Sequence, residues 1–150
     1  MQITYSCLPF SELTNADLYK IMKARQEVFV VEQNCPYLDA DGKDLYAHHV
    51  MGKDTNGQLQ CYSRILPEGV SYPGFTSIGR VINTALVRGQ GHGKTLMQYS
   101  IAKIKNLYPD MPVKIGAQAY LKKFYESFGF VDMGIPYLED GIPHIIMVLQ

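Results

Sequence analysis

The chain has 150 residues, 47% hydrophobic and 19% charged, with a formal net charge of +0 at pH 7. That length suits one domain spanning residues 1–150, and the composition is that of a chain that folds around an apolar core rather than staying disordered. Zero net charge without a basic run or arginine-rich stripe excludes the electrostatic footprint of a nucleic-acid binder, and no apolar stretch is long enough to span a membrane.

Met1 to Tyr5 lacks the charged and apolar regions of a signal peptide. Gln2 to Cys7 alternates as a first strand, ended by Pro9. Thr14 or Asn15 can cap a helix on which Leu18, Ile21, Met22, Arg25, Val28 and Phe29 recur at helical spacing. The β-branched and aromatic run Val28-Phe29-Val30-Val31 predicts that this helix loses regularity there. Asn34 to Lys43, with Pro36, Gly42 and several acids, reads as a solvated loop. A calcium loop starting at Asp39 fails, because its sixth position is Asp44 instead of glycine and its twelfth is Val50 instead of an acid.

Tyr46 to Gly52 and Leu59 to Leu66 read as strands joined by the turn Asp54-Thr55-Asn56-Gly57. His48 and His49 are adjacent on the first of these, so they point to opposite faces and do not share a metal. Pro67 to Phe75 is a loop and Thr76 to Thr84 a third strand. A helix from about Gly91 to Leu107 stops at Tyr108-Pro109-Asp110. Then come a strand at Val113 to Ala119, a short helix at Leu121 to Phe128 ended by Gly129, and closing strands at Phe130 to Gly134 and His144 to Leu149. The order β-α-β-β-β-α-β-α-β-β predicts an α+β fold with a mixed, mostly antiparallel central sheet flanked by helices. The long helix would link two parallel strands. Cys7, Cys35 and Cys61 give neither a disulfide framework nor zinc spacing, so no metal is expected and a reducing cytoplasm is the expected setting.

The most informative segment is Arg88-Gly89-Gln90-Gly91-His92-Gly93-Lys94-Thr95, between a strand-like run and the long helix. Glycines at alternate positions let the backbone approach a ligand and tolerate positive φ. The helix behind them offers unpaired N–H groups and the positive end of its dipole, a setting for phosphate or pyrophosphate. A P-loop would need glycine at Arg88, and a dinucleotide-binding turn would need one at Lys94. A strand-to-helix turn without a ligand is the plain alternative.

The pattern from Arg88 to Gly93 resembles the coenzyme A pyrophosphate loop of the GNAT acetyltransferase superfamily, Arg/Gln-x-x-Gly-x-Gly/Ala. Phe124-Tyr125-Glu126-Ser127-Phe128-Gly129-Phe130 is similar to that family's apolar-Tyr-x-x-x-Gly-Phe signature, and it follows the glycine loop in the family's order. Arg25 to Gln33, Cys35-Pro36-Tyr37, Ile78 to Val81, Ala117-Gln118-Ala119 and Glu139 to His144 resemble the ElaA-type branch, a likeness covering nearly the whole chain.

The resemblance implies a GNAT fold and an N-acetyltransferase that moves acetyl from acetyl-CoA to a primary amine in a ternary complex. A non-catalytic acyl-CoA sensor on the same fold is the alternative. Backbone N–H groups of Gly89, Gln90, Gly91, His92, Gly93 and Lys94 would hold the pyrophosphate, with Arg88 either a phosphate contact or a surface charge. Backbone atoms of Val81, Ile82 and Asn83 would pair with the pantetheine arm, and Gln118 would stand where relatives carry an asparagine that contacts the cofactor. Tyr125 matches the general acid that protonates the departing thiolate. The strand before the loop carries no acid to act as base. His144 is therefore the leading candidate among His48, His49, Glu32, Glu139 and itself, with a water chain as the alternative. Arg25 and Glu32, seven apart, would share a helix face and line the acceptor pocket or form an ion pair. The acceptor is a small-molecule or peptide amine, and acids in the Asn34 to Leu45 loop hint at a cationic one. A homodimer would pair through the C-terminal strand.

Overall fold

In the computed structural model, which describes residues 1–150, β1 (Thr4–Pro9), β2 (His48–Lys53), β3 (Leu59–Leu66) and β4 (Ser77–Asn83) form one antiparallel sheet in that order. β5 (Val113–Gln118), β6 (Val131–Glu139) and β7 (Ile142–Leu149) form a second, with β7 between the other two. Helices α1 (Asn15–Arg25) and α2 (His92–Leu107) cover opposite faces of the first sheet, and the short α3 (Lys122–Glu126) packs at β5. Every residue of β3 is buried, and its alternation, reset by a register shift between Leu59 and Cys61, divides the core. Cys61 and Ile65 join Leu96, Met97 and Ile104 of α2, whereas Leu59 and Tyr62 join Ile21 and Ala24 of α1. Gly52 is fixed by this packing, because a Cβ there would lie 2.9 Å from Cys61, Ile3 and Tyr5 side-chain carbons.

The two sheets meet at one parallel bridge, Thr76 against Val113. The Thr76 N–H donates to the Pro112 carbonyl (3.0 Å), and the Lys114 N–H donates to the Thr76 carbonyl (2.9 Å). Helix α2 supplies the crossover that parallel neighbours require. Past that bridge β4 and β5 separate. The register of β4 against β3 shifts between Tyr62 and Arg64, and Arg80 sits in this bulge at φ 50°. A bulge bends its strand and increases local twist, which opens the gap between the sheets.

Several expectations change in the folded chain. Thr14 does cap α1, accepting from the Asp17 N–H at 3.0 Å. The irregular stretch after Arg25 is a π-helical segment, Gln26–Glu32. The closing strands are longer than the sequence reading and form a hairpin across Asp140 (φ 50°) and Gly141 (φ 77°), the paired positive φ values of a type I′ turn. Because β7 is hydrogen-bonded on both sides, it is not free to pair with a second copy, and the free edge belongs to β6. No helix is long and apolar enough to cross a membrane.

Candidate active site

The β4–β5 gap widens into a cavity of about 850 Å³. β4 contributes Ser77 to Val81 and Asn83, and β5 contributes Ile115, Gly116 and Gln118. A smaller space of about 250 Å³, lined by Val81, Asn83, Gly93, Leu121, Phe124 and Tyr125, opens toward the start of α2. Val81, Asn83, Leu121 and Tyr125 border both, so Tyr125 stands at their junction.

The glycine loop closes the small end. Gly89 and Gly91 have φ of 78° and 81°, where a side chain is strained, and nothing lies within 4 Å of the Cβ position of either. From Arg88 through Lys94 no backbone N–H finds an acceptor in the chain. Helix α2 has no side-chain cap and no acid in its first turn, so its positive end is unneutralised. The buried Asn83 Oδ1 also lacks a partner. This is a concave set of donors suited to a pyrophosphate, with a free acceptor at the entrance to the strand gap.

The other predicted cofactor residues divide by direction. Thr84 N–H donates to the Gln60 carbonyl on β3, whereas the Asn83 carbonyl faces outward and accepts from Arg88 Nε at 2.8 Å. Strand alternation therefore turns Val81 and Asn83 backbone groups to the gap and those of Ile82 to β3, with the Ile82 side chain buried against α1. Ile82 is thus displaced from the expected pantetheine edge. Arg88 is held by Glu32 at 2.8 Å, His92 is half-buried and Lys94 is exposed. Gln118 borders the cavity, opposite His144 in the β5–β7 register.

Tyr125 is 8% exposed, with its ring edge-on to Phe124 and Phe130. Burial, reinforced by Tyr120, pushes its hydroxyl up to about 12. His144 Nδ1 lies 2.7 Å from the Ile142 carbonyl, which can only accept, so Nδ1 carries the proton. Its Nε2 points to the Glu139 carboxylate at 3.3 Å, and its ring lies 5.3 Å from that of Tyr137.

The family model for the GNAT acetyltransferase domain matches residues 68–150, the half that holds the loop, Tyr125 and His144. Protein ElaA of Escherichia coli K12 is 44% identical over 150 residues, covering 99% of this chain and 97% of its own. The chain belongs to the GNAT acetyltransferase family. Its fold superposes on the crystal structure of E. coli ElaA with a TM-score of 0.93 at 42% identity, over 99% of this chain and 100% of that one. An acyl-CoA N-acyltransferase from Pseudomonas aeruginosa gives the same TM-score at 42% identity, over 98% and 99%. At 16% identity the fold is also that of yncA from Salmonella typhimurium, solved with its cofactor acetyl-CoA (TM-score 0.72, 100% of this chain and 94% of that one). As a GNAT protein of this branch, the chain is an acetyl-CoA-dependent N-acetyltransferase.

The GNAT frame makes the fate of Arg25 plain. It does not line the cavity: its side chain is 0% exposed, and it does not pair with Glu32. Arg25 Nε donates to Asp39 at 2.7 Å, and Nη1 donates to Asp44 at 2.6 Å. Arg64 donates to Asp41 and Asp44, and Arg80 to Asp39 and Asp41, so the guanidiniums and carboxylates interlock and neutralise one another. The loop acids expected to be solvated, or to await a cationic acceptor, are thus used inside the protein. Burial opposes the Asp41 and Asp44 charges, but hydrogen bonds and charges from Arg64 and Arg25 override it and hold both carboxyls below the usual range. Arg80, strained at its positive φ, is tied down by this cluster, which fixes the β4 bulge and one wall of the cavity. Glu32 does reach the cavity, while His49 is spent structurally on Tyr62 and the Asp44 carbonyl. The sequence reading also passed over Tyr72, Tyr137 and Gly116. A Cβ at Gly116 would overlap the Tyr137 hydroxyl; long-range strand register brings Gly116 and Tyr137 together, and the loop before β4 adds Tyr72.

Proposed function

We propose that acetyl-CoA lies along the β4–β5 gap with its pyrophosphate on the glycine loop and its thioester beside Tyr125, and that a primary amine enters from the larger cavity. The observation that carries this reading is Tyr125 at the junction of the two spaces, between the loop that suits the pyrophosphate and the polar wall that includes His144. In a direct transfer the amine nitrogen attacks the thioester carbonyl carbon. The C–N bond forms, the C–S bond breaks, and the thiolate takes the Tyr125 proton. Before the attack the bound ammonium gives one proton to His144 Nε2, the ring nitrogen not committed to Ile142 and 3.3 Å from the Glu139 carboxylate, and the second proton, lost as the amide forms, passes to water. Outward backbone groups of Val81 and Asn83 would orient the pantetheine arm. Burial pushes the Cys7 and Cys61 thiols up, the opposite of what an acetyl-cysteine relay needs. Free thiols at Cys7, Cys35 and Cys61 support a reducing, cytoplasmic setting.

A test follows from the proton inventory. His144→Asn should lower amine-dependent thiol release at neutral pH by about 10²-fold, the lower range for a general base. The gap from wild type should narrow as pH rises toward the amine's own pKa, about 10.4 for a lysine-like amine, because a neutral amine needs no base. A constant ratio of the two rates across that range would remove His144 from the base role.

A further inference from the structure

We infer that Glu139 and His144, with the Tyr72 and Tyr137 rings beside them, form the subsite that holds the acceptor's ammonium group, so that the acceptor is a primary alkylamine without a neighbouring carboxylate. This deepens the transferase reading and rests on it for the chemistry, although not for the binding.

The argument starts from the tautomer. With Nδ1–H donated to the Ile142 carbonyl, a neutral His144 presents a lone pair at Nε2. Glu139 Oε2 stands 3.3 Å away and is likewise an acceptor. In the neutral ring these are two acceptors facing each other, which a donor with several N–H bonds satisfies, and a primary ammonium has three; once a proton has passed to Nε2 the two form an ion pair. Strand register places Tyr137 directly across from His144, and Tyr137, Tyr72, Glu139 and His144 all border the large cavity. Burial and then the Glu139 charge raise Tyr72 above its ordinary value; burial, Tyr72 and Glu139 hold Tyr137 up at about 12. The carboxylate therefore sits close to both rings, whose faces favour cations. Lys114 already shows that preference, with its ammonium 5.3 Å from the Tyr72 ring centre and 4.0 Å from that of Phe75.

The cavity's arginines are already paired. Arg64 and Arg80 are held by the loop aspartates and Arg88 by Glu32, whereas Lys43 donates to the neutral Ser71 Oγ at 2.9 Å and keeps its charge. Glu139 is 60% exposed in its side chain, and its charge faces the open part of the site with Asp140 next to it. A carboxylate adjacent to the amine, as in a free amino acid, would meet this pair of acids and be repelled.

The test uses n-butylammonium chloride, with n-butanol and sodium butyrate as controls, and reads the His144 imidazole signals by NMR. The protein has 4 histidines, and the His144 resonances are those missing in His144→Asn. Saturable movement of these signals by n-butylammonium is expected, with little movement by the alcohol or the carboxylate. Glu139→Gln should raise the half-saturating concentration at least about five-fold, since it removes a charged partner of the ammonium. No movement with n-butylammonium, equal movement with n-butanol, or an unchanged half-saturation in Glu139→Gln would overturn the assignment. Saturable binding without thiol release from n-butylamine and acetyl-CoA would leave this subsite standing and overturn the proposed transfer step instead.

Discussion

Tyr125→Phe is expected to lower kcat for amine-dependent thiol release by about 10²-fold, within the range that a positioned general acid supplies, while the KM for acetyl-CoA changes less than about two-fold. The substitution keeps the ring that packs edge-on against Phe124 and Phe130, so the wall between the two spaces is retained and only the proton donor is lost. Burial raises the hydroxyl to about 12, which leaves it protonated at any pH where the enzyme would be assayed. The deficit should accordingly be flat with pH between about 6 and 9, because the group does not titrate there and its ordinary value is already about 10. Steady-state kinetics at several pH values check both parts. A kcat within two-fold of wild type would deny Tyr125 the acid role. A loss in kcat/KM carried by a raised KM, with kcat unchanged, would make it a binding residue.

The largest effect on stability is expected at Arg25→Met. Arg25 donates to the Asp39 carboxylate, to the Asp39 carbonyl and to Asp44, and stands 5.9 Å from the Tyr62 ring centre, with no exposure to water. Methionine fills much of the volume but leaves Asp39 and Asp44 with one cationic partner each, Arg80 and Arg64. Breaking a buried pair from one side costs about 3–5 kcal/mol. For a chain of this size that lowers Tm by about 10 °C, at about 2–4 °C per kcal/mol. Acid should act through the same cluster. Asp41 and Asp44 titrate lower in the folded chain than in the unfolded one, so the stability they contribute is complete above the unfolded value of about 3.9. It is lost as pH falls from there through the folded values. Thermal unfolding followed by circular dichroism should show the loss of Tm at pH 7 and a shallower fall below pH 4 in the variant. A Tm within 2 °C of wild type would mean that the cluster adds little net stability.

What was legible in the sequence was what is local. The Gly89–Gly93 spacing, the Thr14 cap, the period of α2 and the Asp54–Gly57 turn are each fixed by neighbours along the chain. Tyr125 was legible because its motif is contiguous. The ion cluster was not, since Asp39, Asp41 and Asp44 look solvated when read beside their neighbours. Their arginines arrive from α1, β3 and the β4 bulge, up to 41 residues away. Strand order was equally hidden. Nothing in the apolar run at the end of the chain announces that β7 inserts between β5 and β6, so its edges are taken and Gln118, His144 and Tyr137 fall in one row across the sheet. The Asp140-Gly141 turn was a local signal that went unread, and with it the placement of Glu139 beside His144.

Calorimetric titration with acetyl-CoA, with ATP as control, tests the central claim most directly when wild type is compared with Gly91→Val. The β4–β5 gap and the glycine loop predict micromolar acetyl-CoA binding, no comparable ATP binding, and at least about a ten-fold weaker Kd in the variant. A branched side chain at φ 81° strains the loop and would crowd a pyrophosphate seated on it as proposed. Equal acetyl-CoA affinity in the two proteins, or no acetyl-CoA binding to wild type, would contradict the account.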